Sequence, residues 1–146
     1  MAITSAICNS FKQEILEAEH NFTASTGNTF KIALYTSSVT LDEDTTAYSS
    51  SNEITNSSGT AYTAGGASLT SVTPTLDSST AVCDFSDVSW TSASFTANGC
   101  LIYNDSHSTD AAVCAVAFGG DKTVSSGTFT VQFPAAAATT AIVRIA

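Results

Sequence analysis

The chain has 146 residues, with 13 acids against four bases and a formal net charge of −9. Lys12, Lys31, Lys122 and Arg144 are scattered along it, whereas holding phosphates takes clustered bases, so the charge pattern argues against both nucleic acid and an anionic membrane surface as partners. Charged residues make up only 12%, yet 43% are hydrophobic, including eight Phe, four Tyr and one Trp, which is too apolar for a disordered chain and enough for one packed core.

Length and core predict a single domain over residues 1–146. At the N-terminus, Ile3, Ile7, Phe11 and Ile15 recur every four residues, with Leu16 and Ala18 beside them. This apolar stripe predicts one α-helix over residues 4–20. Thr4 or Ser5 can cap its start, while Glu14, Glu17 and Glu19 crowd the end where the helix dipole disfavours anions. The stripe has two readings. Either it covers the domain's own sheet, or it docks on a neighbouring subunit, which makes Ile3, Ile7, Phe11 and Ile15 candidate subunit-interface residues. The segment Met1 to Glu19 lacks the basic start and uninterrupted apolar stretch of a signal peptide, and no run of about 18 apolar residues reads as a membrane span. Synthesis and first use in a cytoplasm are expected.

From residue 28 to 146 the texture is β. Thr29 to Tyr35 reads as a buried strand with Phe30, Ile32 and Leu34 on one side. Ser37 to Gly59 is polar, carries Asp42, Glu43 and Asp44, and reads as a long surface excursion. Short strands are expected at Thr60 to Thr63 and Ala67 to Leu76, broken by Gly65-Gly66 and Pro74. Ala81 to Phe85 follows, then Val88 to Phe95 as a further strand or bend, a turn at Asn98-Gly99 and a strand from Cys100 to Asn104. Ala111 to Phe118 ends at a Gly119-Gly120 turn. Thr128 to Phe133 alternates cleanly, Pro134 stops it, Ala135 to Ala138 reads as a loop, and Ala141 to Ile145 is the last strand. No helical pattern separates the strands, so parallel βαβ units are excluded. The expected fold is mainly β: an antiparallel β-sandwich or jelly-roll-like domain with one N-terminal helix.

No catalytic constellation emerges. His107 stands in the polar stretch Asn104-Asp105-Ser106-His107 and His20 near the helix end, and no G-x-S-x-G elbow is present. Asp42, Glu43 and Asp44 lack the glycine and distal glutamate of a calcium loop, and Asp84 with Asp87 is a carboxylate pair flanking a strand end near Trp90, whereas a glycosidase pair needs one carboxyl in an apolar pocket. Neither glycine pair matches a phosphate loop. Cys8, Cys83, Cys100 and Cys114 form no C-x-x-C pair, which argues against zinc. They are expected to be reduced and buried, although two of Cys83, Cys100 and Cys114 could meet across a sheet and oxidise after release from a cell. No metal, no cofactor and no enzymatic activity are expected.

The order of segments carries a further signal: CNSFKQEILEAEHNF, then Gly27-Asn28-Thr29-Phe30-Lys31, IALYTSSVTLDEDTTAYS, EITNSSGTAYTAGGASL, PTLDSSTAVCDFSDVSWTSASFTANGCLIYN and FGGDKTVSSGTFTVQFP. In texture and order, nearly the whole chain resembles small virion structural proteins of tailed bacteriophages, of the kind placed on the head surface as decoration or cement proteins. The resemblance implies a β-sandwich subunit on the virion head, association with the major capsid protein, and homotrimers at local threefold positions. Some similar proteins sit in the tail, neck or fibres, which keeps open a host-glycan alternative with Trp90, Tyr35, Tyr48, Tyr62 and Tyr103 as stacking residues. The Ser/Thr-rich surface fits either place, because short side chains lose little entropy when covered.

Overall fold

The computed structural model describes residues 1–146. It is mainly β, with two antiparallel sheets and one short helix in a sandwich-like arrangement. In chain order the elements are β1 (Ala6–Ile7), α1 (Asn9–Leu16), β2 (Phe30–Tyr35), β3 (Ala67–Ser68), β4 (Ser71–Asp77), β5 (Thr80–Phe85), β6 (Val88–Asn104), β7 (Ala111–Val131) and β8 (Val143–Ile145). The larger sheet has the order β1-β7-β6-β2-β3 and the smaller one β4-β5-β8.

The N-terminal helix is shorter than its apolar stripe. Residues before Cys8 are extended: Ile3 bridges Leu41, and Ala6 and Ile7 pair with Ala115 and Cys114 of β7. Neither Thr4 nor Ser5 caps the helix: the Thr4 N–H donates to the Leu41 carbonyl at 2.8 Å and Ser5 Oγ accepts the Ala117 N–H at 2.9 Å. Cys8 holds the N-cap position with no side-chain cap, and Ala18, at φ 62°, ends the turn that follows Leu16. Ile3 and Ile7 are therefore not helical. A four-residue apolar spacing was satisfied by a strand edge followed by a helix, both laid on the same core, where Ile3 and Phe11 are buried and Ile7 and Ile15 pack alongside.

β6 and β7 are single long strands where the sequence suggests breaks. Gly99 is no turn but a close approach: a Cβ there would lie 2.6 Å from the Val116 carbonyl oxygen and 2.7 Å from Ile3 Cδ1. Gly119 and Gly120, at φ 74° and 128°, form a corner within β7. Gly99 pairs with Ala117 and Ala97 with Lys122, so residues 118–121 stand opposite Asn98 alone. Bulges of this kind bend a strand and sharpen its twist. The bend brings Phe118 to within 6.1 Å of Phe129 on the far half of the same strand.

The core lies between these layers. Phe30 of β2 stacks on Phe22 at 4.3 Å and tilts against Phe85 of β5 at 5.9 Å, joining the two sheets. Trp90 and Phe95 meet Tyr62, which belongs to the irregular stretch between β2 and β3. That stretch is a cover and not a surface excursion, because Val39, Leu41, Glu53 and Ile54 are buried. Residues 60–63 form no strand, and Ala61 has φ 57°. β4 accommodates Pro74 as an edge strand should, with a bulge between Val72 and Thr75.

Candidate functional site

Three features gather the chain's chemistry: a tyrosine–carboxylate hub, a histidine pair, and apolar surface left open on the smaller sheet.

The hub centres on Glu53, buried in the cover between β2 and β3. Tyr48 and Tyr62 each donate a hydroxyl hydrogen to its carboxylate at 2.6 Å, and the Gly65 N–H adds a third bond at 2.8 Å. Tyr62 Oη accepts the Leu34 N–H at 2.8 Å. Tyr103 donates to the Gly65 carbonyl, Tyr35 to the Ser49 carbonyl, and Tyr48 stacks on Tyr103 at 4.7 Å. All four tyrosines of the chain thus fasten the cover to β2 and β6. Burial raises all four phenol pKa values, and for Tyr48 and Tyr62 the bond to Glu53 raises them further. Each remains a proton donor. Tyr35, Tyr62, Tyr103 and Trp90 are buried and Tyr48 half-buried, so these rings are core and not open stacking platforms.

The two histidines, far apart in sequence, meet in the fold. Their rings stack at 6.1 Å with an interplanar angle of 15°. His20 is enclosed, with Nε2 2.8 Å from Glu14 Oε2 and Nδ1 3.1 Å from Asn104 Nδ2. His107 Nε2 lies 3.5 Å from Glu19, and its Nδ1 accepts from the Thr109 N–H and meets the Thr109 hydroxyl, closing the 105–110 turn.

The acids singled out in the sequence do structural work. Asp44 Oδ1 accepts from Asn9 Nδ2, the Glu43 carbonyl from the Asn9 N–H, and Asp42 Oδ1 from the Asp44 N–H, so the acidic loop braces the start of α1. Asp84 accepts its neighbour Phe85's N–H, and Asp87 accepts the Phe133 N–H just beyond the Val88–Val131 pair that ends the β6–β7 ladder. No three His, Cys, Asp or Glu side chains converge on a point that could hold a metal ion.

All four cysteines are buried free thiols. Burial pushes Cys8 and Cys83 up to about 11 and Cys100 up to about 12, and raises Cys114 well above the thiol range. The thiols are thus reduced and buried, as expected, and the alternative of a disulfide between two of Cys83, Cys100 and Cys114 is not formed. Cys100 opposes Val116 and Cys114 opposes Ile102, so the two are diagonal neighbours, a relation about 7 Å across where a disulfide needs Cβ atoms about 4 Å apart. Cys83 belongs to the other sheet.

The open apolar surface starts on β4-β5-β8. Leu76 pairs with Ala81 and Ala81 with Ile145, which sets the three in one row across the sheet. Leu76 is 73% exposed and Ile145 55%. Beside this row a groove of about 430 Å³ runs between the sheet and α1, lined by Phe11, Ile15, Phe22, Pro74 and Val143 among others. A second groove, about 480 Å³, opens inside the bend of β7 against Phe118, Phe129, Phe133 and Ile142. Leu16, the outermost residue of α1, is 88% exposed. Of the four candidate interface residues, Ile3 and Phe11 are held in the core, Ile7 packs against it from β1, and Ile15 reaches this surface only as a wall of the first groove.

Comparison with family models, with characterised proteins and with solved structures finds no match to this chain. No helix is long and apolar enough to cross a membrane.

Proposed function

We propose that the chain is a non-enzymatic virion structural protein, a decoration or cement subunit that binds the outside of a phage head. The observation that carries the docking half of this reading is the Leu76–Ala81–Ile145 row, which is built by strand register and left uncovered by the chain itself. Uncovering two large aliphatic side chains beside an apolar groove costs solubility unless a partner surface covers them. The phage head enters through the resemblance in segment order. Its partners on this reading are the major capsid protein and copies of itself, in a homotrimer. A repeated lattice multiplies modest contacts by copy number, so each subunit needs only a small apolar patch. Net acidity keeps such a subunit off packaged nucleic acid.

A place in the tail, neck or fibres is the second reading, and the same exposed row supports it. The burial of Trp90, Tyr35, Tyr62 and Tyr103 removes the sugar-stacking surface that a glycan-binding version needs. Co-sedimentation of the purified chain with isolated heads and, separately, isolated tails distinguishes the two. Saturable binding to heads alone supports the cement subunit, and binding to tails alone replaces it.

A further inference from the structure

We infer that His20 and Asn104 form a proton-operated latch, which ties the segment after α1 to the β6–β7 turn and releases it when His20 gains a second ring proton.

The latch is defined by who can donate to whom. Asn104 is wholly buried at the end of β6. Its Oδ1 accepts the Ser106 N–H at 3.0 Å, which fixes the orientation of the amide. Its NH2 group then faces the Glu19 carbonyl at 3.3 Å, Asn28 Oδ1 at 3.3 Å and His20 Nδ1 at 3.1 Å. An amide NH2 only donates, so His20 Nδ1 is an acceptor and carries no hydrogen. The ring is neutral, with its one proton on Nε2, donated to Glu14 Oε2 at 2.8 Å. One side chain thus ties three places together: the 17–29 segment at Glu19, His20 and Asn28, the 105–110 turn at Ser106, and the end of β6 itself.

A proton from solvent added to Nδ1 leaves this arrangement without an answer. The new N–H would point at the Asn104 amide hydrogens across 3.1 Å. The amide can accept it only by turning over, and turning sets NH2 against the Ser106 N–H while withdrawing the donor from Glu19 and Asn28. Every other group around the ring is accounted for. Glu14 from α1 keeps the Nε2 proton in both states. Phe11, Phe22 and Phe30 flank the ring from α1, the following segment and β2, and offer no hydrogen-bond partner. His107, from the turn, stacks on the ring with Glu19 at its far nitrogen and opposes a second positive charge once it is itself protonated. Lys31 is held by Asp105 at 3.0 Å. The freed segment includes Ala18, His20, Asn21, Phe22 and Thr23, which form one wall of the groove beside α1, so the proton acts on the shape of that groove.

Imidazole is the side chain whose charge ordinarily changes between about pH 5 and 8, which sets the range of the test. The test is a titration of the intact chain over that range, with the ring nitrogens of His20 and the amides followed by NMR. At the upper end His20 should show the Nε2–H tautomer. As His20 protonates, the Asn104 side-chain amide and the Ser106 and Asn28 backbone amides should shift with the same midpoint, and amide exchange at Asp105, Ser106 and Asn28 should accelerate at least tenfold relative to β2. Protonation of His20 with Asn104 and Ser106 unmoved, an Nδ1–H tautomer at high pH, or a ring still neutral at the lower end would each overturn the latch. Asn104→Asp supplies a second reading, because a carboxylate accepts from Nδ1–H without turning: the His20 midpoint should rise by about one pH unit or more. An unchanged midpoint in the folded variant overturns the proposal.

Discussion

Tyr62 donates to Glu53 Oε1 at 2.6 Å while its own oxygen accepts the Leu34 N–H at 2.8 Å. One phenol therefore links the irregular cover to the central strand β2, and Glu53 links that phenol to Tyr48 and to Gly65. Glu53→Ala strips the acceptor from the buried Tyr62 hydroxyl, the half-buried Tyr48 hydroxyl and a backbone N–H, and should cost roughly 3 kcal/mol in urea unfolding. Glu53→Gln keeps part of the acceptor capacity and should cost less. Equal losses for the two variants would mean that volume, not hydrogen bonding, holds the cover.

Alkali should unfold the protein earlier than its acidic composition suggests. The phenols and thiols have folded pKa values raised above their ordinary 10.0 and 9.0, so the folded state holds these protons more tightly than the unfolded chain. Their contribution is fully present below the unfolded values and is lost as pH rises through the folded ones. Unfolding free energy should be level from neutral pH up to about pH 8, then fall from about pH 9 upward. A flat profile to pH 11 would contradict the burial of these groups.

The thiols should also be silent in the native state. Thiolate is the reactive form, and burial suppresses both ionisation and access. A thiol reagent at pH 8 should label none of Cys8, Cys83, Cys100 and Cys114 until denaturant is added, then all four. Two labels instead of four in the denatured, unreduced chain would reveal a disulfide.

Gly99→Ala tests the close packing of β6 on β7 and the N-terminal strand. The added methyl meets Val116 and Ile3 at under 3 Å, and the backbone oxygen cannot step aside. A loss of roughly 2 kcal/mol is expected, as for other overpacked sites. A neutral change would show that the N-terminal segment yields freely.

Much of the fold was legible because strand alternation survives in the sequence. Phe30, Ile32 and Leu34, or Phe129, Val131 and Phe133, mark their faces directly. The errors share one cause: a local signal was met by a long-range partner. Ile3 and Ile7 keep helical spacing with Phe11, but Leu41 and Cys114 offered them backbone pairing. Asn98-Gly99 has turn chemistry, yet its glycine is required by Val116 across the sheet. The site was less legible still. Nothing local says that His20 stacks on His107, that Asn104 joins them, or that Glu53, one acid in a polar stretch, gathers the tyrosines.

Leu76→Asp and Ile145→Asp should leave the fold intact, since both side chains are solvent-exposed, and should abolish docking. Melting temperatures within about 2 °C of the parent are expected, alongside loss of association. Unchanged association in both variants would move the docking surface to another face.

The most direct test of the account is to measure the mass of the purified chain by light scattering and then add it to heads that lack it. A stable trimer that binds the heads saturably and raises their disruption temperature is the predicted result. A monomer that leaves the heads unbound and no more stable would contradict the cement reading.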